Sequence, residues 1–265
     1  IESRGHILNY EVSSMSMVAG VMPRAIPTSN GLLEWSQIEA AIRPPIYYCS
    51  QTGLICLENT HNMAGGAVMS KAQTYEICLQ AHERKIPIHL DGARVFNAAT
   101  VLGESVAELT RHFDSVMFCL SKGLGAPVGS MIVGSRTFIE QARILRKLLG
   151  GGMRQVGVLA AAGLIALEEM PARLGEDHAN AKLLATGLAA IDNIKIEPES
   201  VQSNILVFDI SKTGRNTSQF SSQLKEKGIL ANGINPTQMR MVTHYDVTKE
   251  DCQTALKVIK DLIVN

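Results

Sequence analysis

Two apolar runs, each followed by a charged residue, constrain the fold of this chain more than any other feature. Residues 86–90 are apolar apart from His89 and end at Asp91, and residues 115–120 lead into Lys122 within the glycine-rich stretch SKGLGAPVGS. Runs of this kind are typical of strands in sheets that are covered on both faces. Roughly one helix and its connections fit between them, so the sequence predicts two parallel neighbours of a βαβ unit.

The predicted sheet brings a carboxylate and an amine to the same edge. Asp91 and Lys122 each follow a strand, and in open α/β sheets ligands bind beyond the carboxyl ends of the strands. A lysine that forms a Schiff base and an acid that keeps a pyridine nitrogen protonated are what a pyridoxal phosphate enzyme needs. Taken singly, Asp91 could cap a helix start and Lys122 could be a solvated loop residue, but together they favour a cofactor site.

Composition excludes several classes of protein. The chain has 265 residues, with 25 basic and 25 acidic side chains and no long run of either sign, which argues against a nucleic-acid or anionic-membrane partner. No uninterrupted apolar stretch is long enough to span a membrane. The five cysteines lack CxxC spacing and are interpreted as reduced thiols of a cytoplasmic protein, and no metal site is predicted.

The pattern of elements predicts an α/β large domain over residues 1–170 and a small C-terminal α+β domain over 171–265. In the first, strands are predicted at 54–58, 86–90, 115–120 and 128–133. Helices are predicted at 31–42, 70–84 and from Ser135, as N-cap, to Leu149, with a further helix from Val156. In the second, strand-like segments near 194–196, 204–210 and 239–242 alternate with helices near 173–191, 218–227 and from Thr248.

Three further residues are candidates for the same site. Arg94 lies three residues after Asp91, where it could also be a surface partner of that acid. Arg154 follows three glycines near a predicted helix start, where a helix dipole prefers anions, so an anionic ligand would resolve the conflict. His61 follows a strand at the predicted edge of the sheet, although a lone histidine is as often structural.

These motifs together resemble the low-specificity L-threonine aldolases, which are pyridoxal phosphate enzymes of the aspartate-aminotransferase fold (fold type I). The resemblance covers nearly the whole chain and rests on five segments: ENTHNMAGGAV (58–68), HLDGARVFNAA (89–99), FDSVMFCLSKGLGAPVGS (113–130), RKLLGGGMRQ (146–155) and MRMVTHYDV (239–247). It implies cleavage of L-threonine or L-allo-threonine to glycine and acetaldehyde, and a homo-oligomer, dimer or tetramer, with sites at subunit interfaces.

The resemblance also implies a role for each candidate residue. Lys122 would be the Schiff-base lysine, Asp91 the acid on the pyridine nitrogen and Arg94 a neighbour of the phenolic oxygen. Arg154 and Arg240 would bind the substrate carboxylate. His61 would lie beside the substrate hydroxyl as the catalytic base, and His6 would stack on the cofactor ring.

The sequence departs from the family pattern at two places. Family members carry a helix and a Gly-Thr loop for the cofactor phosphate ahead of the His6 position, and no counterpart precedes Ile1 here, so weaker cofactor binding is expected. Asn235 and Pro236 stand where the family often has a second arginine. The alternatives are another fold-type-I lyase or aminotransferase, or a remnant that only associates with full-length subunits. A nicotinamide-binding domain is disfavoured, since no GxGxxG follows a strand.

Overall fold

The computed structural model describes residues 1–264, and the side chains of residues 1–263. The helices are α1 (His6–Asn9), α2 (Ser14–Met17), α3 (Trp35–Ala41), α4 (Lys71–Glu83), α5 (Val95–Leu102), α6 (Val106–Thr110), α7 (Arg136–Leu148), α8 (Gly157–Glu168), α9 (Leu174–Ala189), α10 (Thr217–Glu226) and α11 (Lys249–Val264). The strands are β1 (Ile55–Glu58), β2 (Ile88–Asp91), β3 (Ser115–Cys119), β4 (Ser130–Gly134), β5 (Ile205–Asp209), β6 (Asn232–Gly233) and β7 (Gln238–Val242).

The chain divides into two compact units. The first comprises Ile1–Met63 and Val68–Ala172, and the second comprises Ala64–Ala67 and Arg173–Asn265. The predicted boundary lies after residue 170, and the prediction assigns no earlier segment to the second unit. The short segment is tied there by Ser203, whose Oγ donates to the carbonyl of Gly66 at 2.9 Å.

The sheet of the first unit has the order β1-β2-β3-β4. The first three strands are parallel, and β4 pairs antiparallel with β3. The predicted parallel pairing of the two apolar runs is therefore confirmed. Their connection differs from the prediction, because two helices, α5 and α6, lie where roughly one was expected.

Local signals explain where the helices of this unit begin and end. Ser70 caps α4 and forms a reciprocal capping box with Gln73, and Ser135 caps α7 through the amide of Phe138, as predicted. Gly103 takes a left-handed conformation that ends α5, and Ser105 then caps α6. The helix expected over residues 31–42 begins only at Trp35.

The core of the first unit surrounds the parallel strands. Its fully buried members include Ile88, Leu90, Val95 and Ala98, and α4 contributes Ile77. The outer part of this unit is different, since every residue of β4 is exposed and α7 contributes no buried side chain. Among the described residues, no helix has both the length and the apolarity needed to cross a membrane.

The second unit has its own antiparallel sheet and its own core. The strand order is β5-β7-β6, with Ile205 opposite Val242 and Arg240 between Val207 and Asn232. The predicted strand-like segment at 194–196 forms a single bridge from Lys195 to Asp209 rather than a strand. The buried core joins the sheet to the helices of this unit through Leu184, Leu188, Phe208, Phe220, Met239 and Ile259.

Candidate active site

The carboxyl ends of β1 and β2 place two acids side by side in the first unit. Glu58 is the last residue of β1 and lies opposite Asp91, the last residue of β2. On the other side of β2, Asp91 lies opposite Met117 of β3, so the loop that carries Lys122 leaves the sheet at the same edge. Parallel pairing therefore brings the ends of three strands to one place.

Asp91 is buried, and only one of its two carboxylate oxygens has a hydrogen-bond partner among the described residues. Its Oδ1 accepts a hydrogen bond from the amide of Ala93 at 3.1 Å, whereas Oδ2 is buried without a hydrogen-bond partner among the described residues. Burial and the neighbouring charge of Glu58 raise the pKa of Asp91, against the opposing effects of the Ala93 amide, Lys122 and His6. The local prediction that this acid binds backbone amides is thus correct for one oxygen, and the other oxygen is left for a donor.

Gly92 lets β2 turn tightly after this acid. Its amide donates to the carbonyl of Met117 at 2.8 Å. A Cβ at this position would lie 2.8 Å from that carbonyl oxygen and 3.1 Å from Cβ of Val95. Only glycine fits between the end of β3 and the start of α5, which fixes the backbone on which Asp91 is presented.

Lys122 lies half-buried in a loop closed by its own backbone. The amide of Gly125 donates to the carbonyl of Lys122, and Leu120 bonds to both Gly129 and Ala126, each at 2.9 Å. Within the described part of the chain, the Lys122 ammonium has no hydrogen bond or ion pair, and its charge is near enough to Asp91 to act toward lowering the pKa of that acid.

His6 enters the same site from the first helix. Its backbone amide donates to Oε2 of Glu58 at 2.8 Å, which fixes the start of α1 against the end of β1. Its ring stacks on Tyr10 with centroids 5.3 Å apart, and Nε2 lies 3.0 Å from Oε1 of Glu11. The imidazole stays partly exposed, and its charge also acts on Asp91.

His61 is enclosed among carboxylates rather than standing at the mouth of a cleft. Only 1 % of its side chain is exposed, and Nε2 lies 3.1 Å from Oε2 of Glu2 and 3.9 Å from Oε2 of Glu58. Its Nδ1 is buried with no hydrogen-bond partner in the described residues, as is Oγ1 of the preceding Thr60. The ring is therefore closed to bulk solvent.

The three predicted arginines lie in different surroundings. Arg94 is half-buried beside the site, and its Nη1 lies 3.4 Å from Oδ1 of Asn62. Arg154 is exposed in the connection between α7 and α8, three residues before the latter helix begins. Arg240 is half-buried on β7 of the second unit. Arg94 and Arg154 both belong to the first unit, as do Asp91, Lys122, His6 and His61, whereas Arg240 belongs to the second.

Sequence reasoning missed the two glutamates that surround His61. Glu58 stands in a motif that was recognised, but no role followed from its position, although it ends a strand as Asp91 does. Glu2 gives no sequence signal, because its contact with His61 spans 59 residues and has no periodic pattern. In the described residues, no group of three or more His, Cys, Asp or Glu is placed to hold a metal ion.

Comparison with known proteins assigns the family. A family model described as beta-eliminating lyase matches residues 1–211. The chain belongs to the beta-eliminating lyase family. It is 43 % identical to low-specificity L-threonine aldolase 1 of Arabidopsis thaliana over 264 residues, which cover 98 % of this chain and 74 % of that protein. The predicted resemblance to the low-specificity threonine aldolases is confirmed.

Solved structures show that this member of the beta-eliminating lyase family has the expected fold. A threonine aldolase of Leishmania major superposes with a TM-score of 0.80 at 21 % identity, covering 99 % of this chain and 76 % of that one. A structure of SPT with PLP superposes with a TM-score of 0.61 at 21 % identity, covering 78 % of this chain and 54 % of that one. The predicted fold type I of the pyridoxal phosphate enzymes is confirmed.

The family implies pyridoxal phosphate as cofactor, and the residues of the site fit that group. Oδ2 of Asp91 is an orphaned buried acceptor that a protonated pyridine nitrogen would satisfy. The ammonium of Lys122 has no recorded partner among the described residues, as an amine that must bond to an aldehyde requires. The imidazole of His6 is exposed enough to lie against a ring.

Proposed function

We propose that this chain cleaves L-threonine and L-allo-threonine to glycine and acetaldehyde with pyridoxal phosphate as cofactor, and that it is an aldehyde-lyase. The observation that carries the proposal is the buried Asp91, whose Oδ2 has no hydrogen-bond partner among the described residues and whose pKa burial raises against the lowering effect of the nearby charge of Lys122. The curated relative at 43 % identity carries the name of this activity. Bound pyridoxal phosphate would supply an electron sink for the charge that bond cleavage leaves on Cα.

In this proposal, the site residues hold the cofactor at its aldehyde carbon and at its ring nitrogen. Lys122 would hold the cofactor through Nζ, and Oδ2 of Asp91 would accept a hydrogen bond from the protonated ring nitrogen. Because burial and Glu58 raise the pKa of Asp91, a positive partner at Oδ2 restores the charged form of the acid. Arg94 would bind the phenolic oxygen, and His6 would pack against the ring, as the resemblance implies.

The substrate is held by its carboxylate and deprotonated at its hydroxyl. Arg154 and Arg240 would bind the carboxylate by charge-assisted hydrogen bonds, as the resemblance implies. We assign the proton of the hydroxyl to Nδ1 of His61, directly or across one water molecule. A general base of this kind contributes roughly 10²–10⁴-fold to the rate.

We also propose that the chain works as a homo-oligomer in the cytoplasm. The exposed apolar side chains of β4 and α7 support association, since patches of this kind mark interaction surfaces. All five cysteines are free, which fits a reducing compartment.

Product analysis tests the proposed function. Purified protein is incubated with pyridoxal phosphate and L-threonine, and glycine, acetaldehyde, ammonia and keto acid are quantified. Equal amounts of glycine and acetaldehyde are expected, and Lys122→Ala should abolish both products and the absorbance of the attached cofactor. Ammonia with a keto acid would indicate a lyase or aminotransferase of another specificity. Folded protein that binds no cofactor would contradict the proposal.

A further inference from the structure

Glu2 and His61 form a buried contact that the proposed function does not yet use. Oε2 of Glu2 lies 3.1 Å from Nε2 of His61, and the two side chains are 4 % and 1 % exposed. Because this contact lies away from bulk water, its hydrogen bond is stronger than a similar pair on the surface.

Four groups besides His61 hold the Glu2 carboxylate in place. Thr28 donates through Oγ1 to Oε1 at 2.8 Å, and the amide of Arg4 donates to Oε2. The hydroxyl of Ser3 and Nε of Arg4 each lie 3.4 Å from Oε1. Burial favours the protonated acid, but the hydrogen bonds from Thr28 and from the amide of Arg4 act against it, and the pKa of Glu2 lies below its usual value. Glu2 is therefore an ionised carboxylate at neutral pH.

An ionised carboxylate determines which nitrogen of His61 carries the proton. Such a group only accepts hydrogen bonds, so its contact with Nε2 requires a hydrogen on that nitrogen. In a neutral imidazole the lone pair then lies on Nδ1. Nδ1 is the nitrogen that is buried without a hydrogen-bond partner in the described residues.

The other acidic groups near His61 also favour a positive charge on its ring. Glu58 approaches Nε2 with Oε2 at 3.9 Å and is itself bonded to the amides of His6 and Asn62, each at 2.8 Å. Asp91 lies beyond Glu58 on the neighbouring strand. Two carboxylates thus face the Nε2 side of the ring, where they stabilise a positive imidazolium once Nδ1 has taken a proton.

We propose that Glu2 is a positioning residue that acts through His61. It holds the imidazole with the proton on Nε2, leaves Nδ1 as the accepting nitrogen, and stabilises the imidazolium that forms when Nδ1 takes the hydroxyl proton of the substrate. The inference rests on the proposed function for its catalytic part. The tautomer and the orientation of the ring do not depend on activity.

The first experiment measures the tautomer directly. Full-length protein labelled with ¹⁵N-histidine is studied by NMR with and without pyridoxal phosphate, and the His61 signals are assigned with His61→Phe. In the wild type we expect the proton on Nε2 and a bare Nδ1, and in Glu2→Gln a mixture of both tautomers. A wild type with the proton on Nδ1, or a Glu2→Gln variant with the wild-type tautomer, would overturn the inference. The wild-type measurement does not depend on whether Glu2→Gln folds.

The second experiment asks whether Glu2 acts through His61. Glu2→Gln should lower kcat for L-threonine about tenfold to 100-fold, part of the roughly 10²–10⁴-fold that a base contributes, while KM and cofactor affinity change less than about twofold. In the His61→Phe background the same substitution should have no further effect on kcat. An equal loss in both backgrounds would show that Glu2 acts independently of His61.

A control variant at another glutamate tests whether the effect is specific to Glu2. The two experiments can also fail separately. Glu39→Gln replaces a glutamate that pairs with Arg84 on the surface and should leave both the tautomer and kcat unchanged. If the wild type makes no glycine from L-threonine, the proposed function fails, and the NMR measurement still decides whether Glu2 sets the tautomer of His61.

Discussion

At the scale of single residues, the site is a cluster of buried acidic side chains. Glu2, Glu58 and Asp91 are three acids close together, and of these Asp91 keeps an oxygen without a hydrogen-bond partner among the described residues. An unpaired buried carboxylate costs free energy that a bound cation recovers. Asp91 and Lys122 were predictable because each follows an apolar strand. Glu2 was not, because a contact between distant parts of the chain leaves no local pattern.

Replacing Asp91 by asparagine should separate stability from cofactor binding. The folded-state pKa of Asp91 is raised, so the stability that its protonated form contributes at low pH is lost as pH rises from the unfolded pKa through the folded pKa. Asp91→Asn removes this loss, and at pH 7 the cofactor-free protein should unfold roughly 2–4 °C higher, equivalent to about 1 kcal/mol. Cofactor affinity should fall at least about tenfold, equivalent to about 1.4 kcal/mol.

The pH dependence of thermal unfolding provides the check on this prediction. The gain in Tm from Asp91→Asn should shrink as pH falls through the raised pKa of Asp91. Asp114→Asn is the control of opposite sign. Burial opposes ionisation of Asp114, but the amide of Ile88 and the side chain of His82 lower its pKa, so its substitution should destabilise the protein at pH 7. A gain in Tm for Asp91→Asn that is the same at all pH values would contradict the electrostatic explanation.

At the scale of secondary-structure elements, most of the first unit could be predicted because its start signals are local. Ser70 and Ser135 cap their helices where the sequence indicates, and the parallel strands coincide with apolar runs. The division between α5 and α6 was missed, because it depends on two adjacent signals, a left-handed Gly103 and the cap Ser105, within an otherwise helical pattern. The close approach at Gly92 also has no sequence signature, since it depends on where β3 ends.

Gly92→Ala should damage the junction that presents Asp91. The added Cβ would lie 2.8 Å from the carbonyl oxygen of Met117, so the ends of β2 and β3 must move apart. Overpacking of this kind typically costs about 1–3 kcal/mol, and the displaced Asp91 should also bind the cofactor more weakly. Chemical denaturation and cofactor titration measure the two effects. Gly157→Ala is the control, because an added Cβ there meets nothing within 4 Å, and wild-type behaviour of Gly92→Ala would disprove the steric argument.

At the scale of the whole molecule, the apolar stripe of α7 has no partner that a local sequence pattern could identify. Phe138, Ala142, Leu145 and Leu149 recur on one face, as the pattern indicates for a helix packed on a core. In this chain that face stays open, with Leu145 54 % and Leu149 64 % exposed, and the neighbouring β4 is exposed as well. The sequence pattern predicts that this apolar face is buried against another surface, but it does not identify that surface. We have proposed that it belongs to another copy of this chain.

Lysine substitutions on this stripe should dissociate the homo-oligomer and leave the subunit folded. Leu145→Lys with Leu149→Lys places two charges on side chains that are already exposed, near the helix end that favours cations, so subunit stability should change by less than about 1 kcal/mol. Light scattering should give a multiple of 28.7 kDa for the wild type and 28.7 kDa for the variant. Leu230→Lys, at another exposed leucine, should keep the wild-type mass. A wild type that is itself monomeric at working concentrations, or an unchanged mass in the double variant, would show that copies of this chain do not meet on the exposed face of α7.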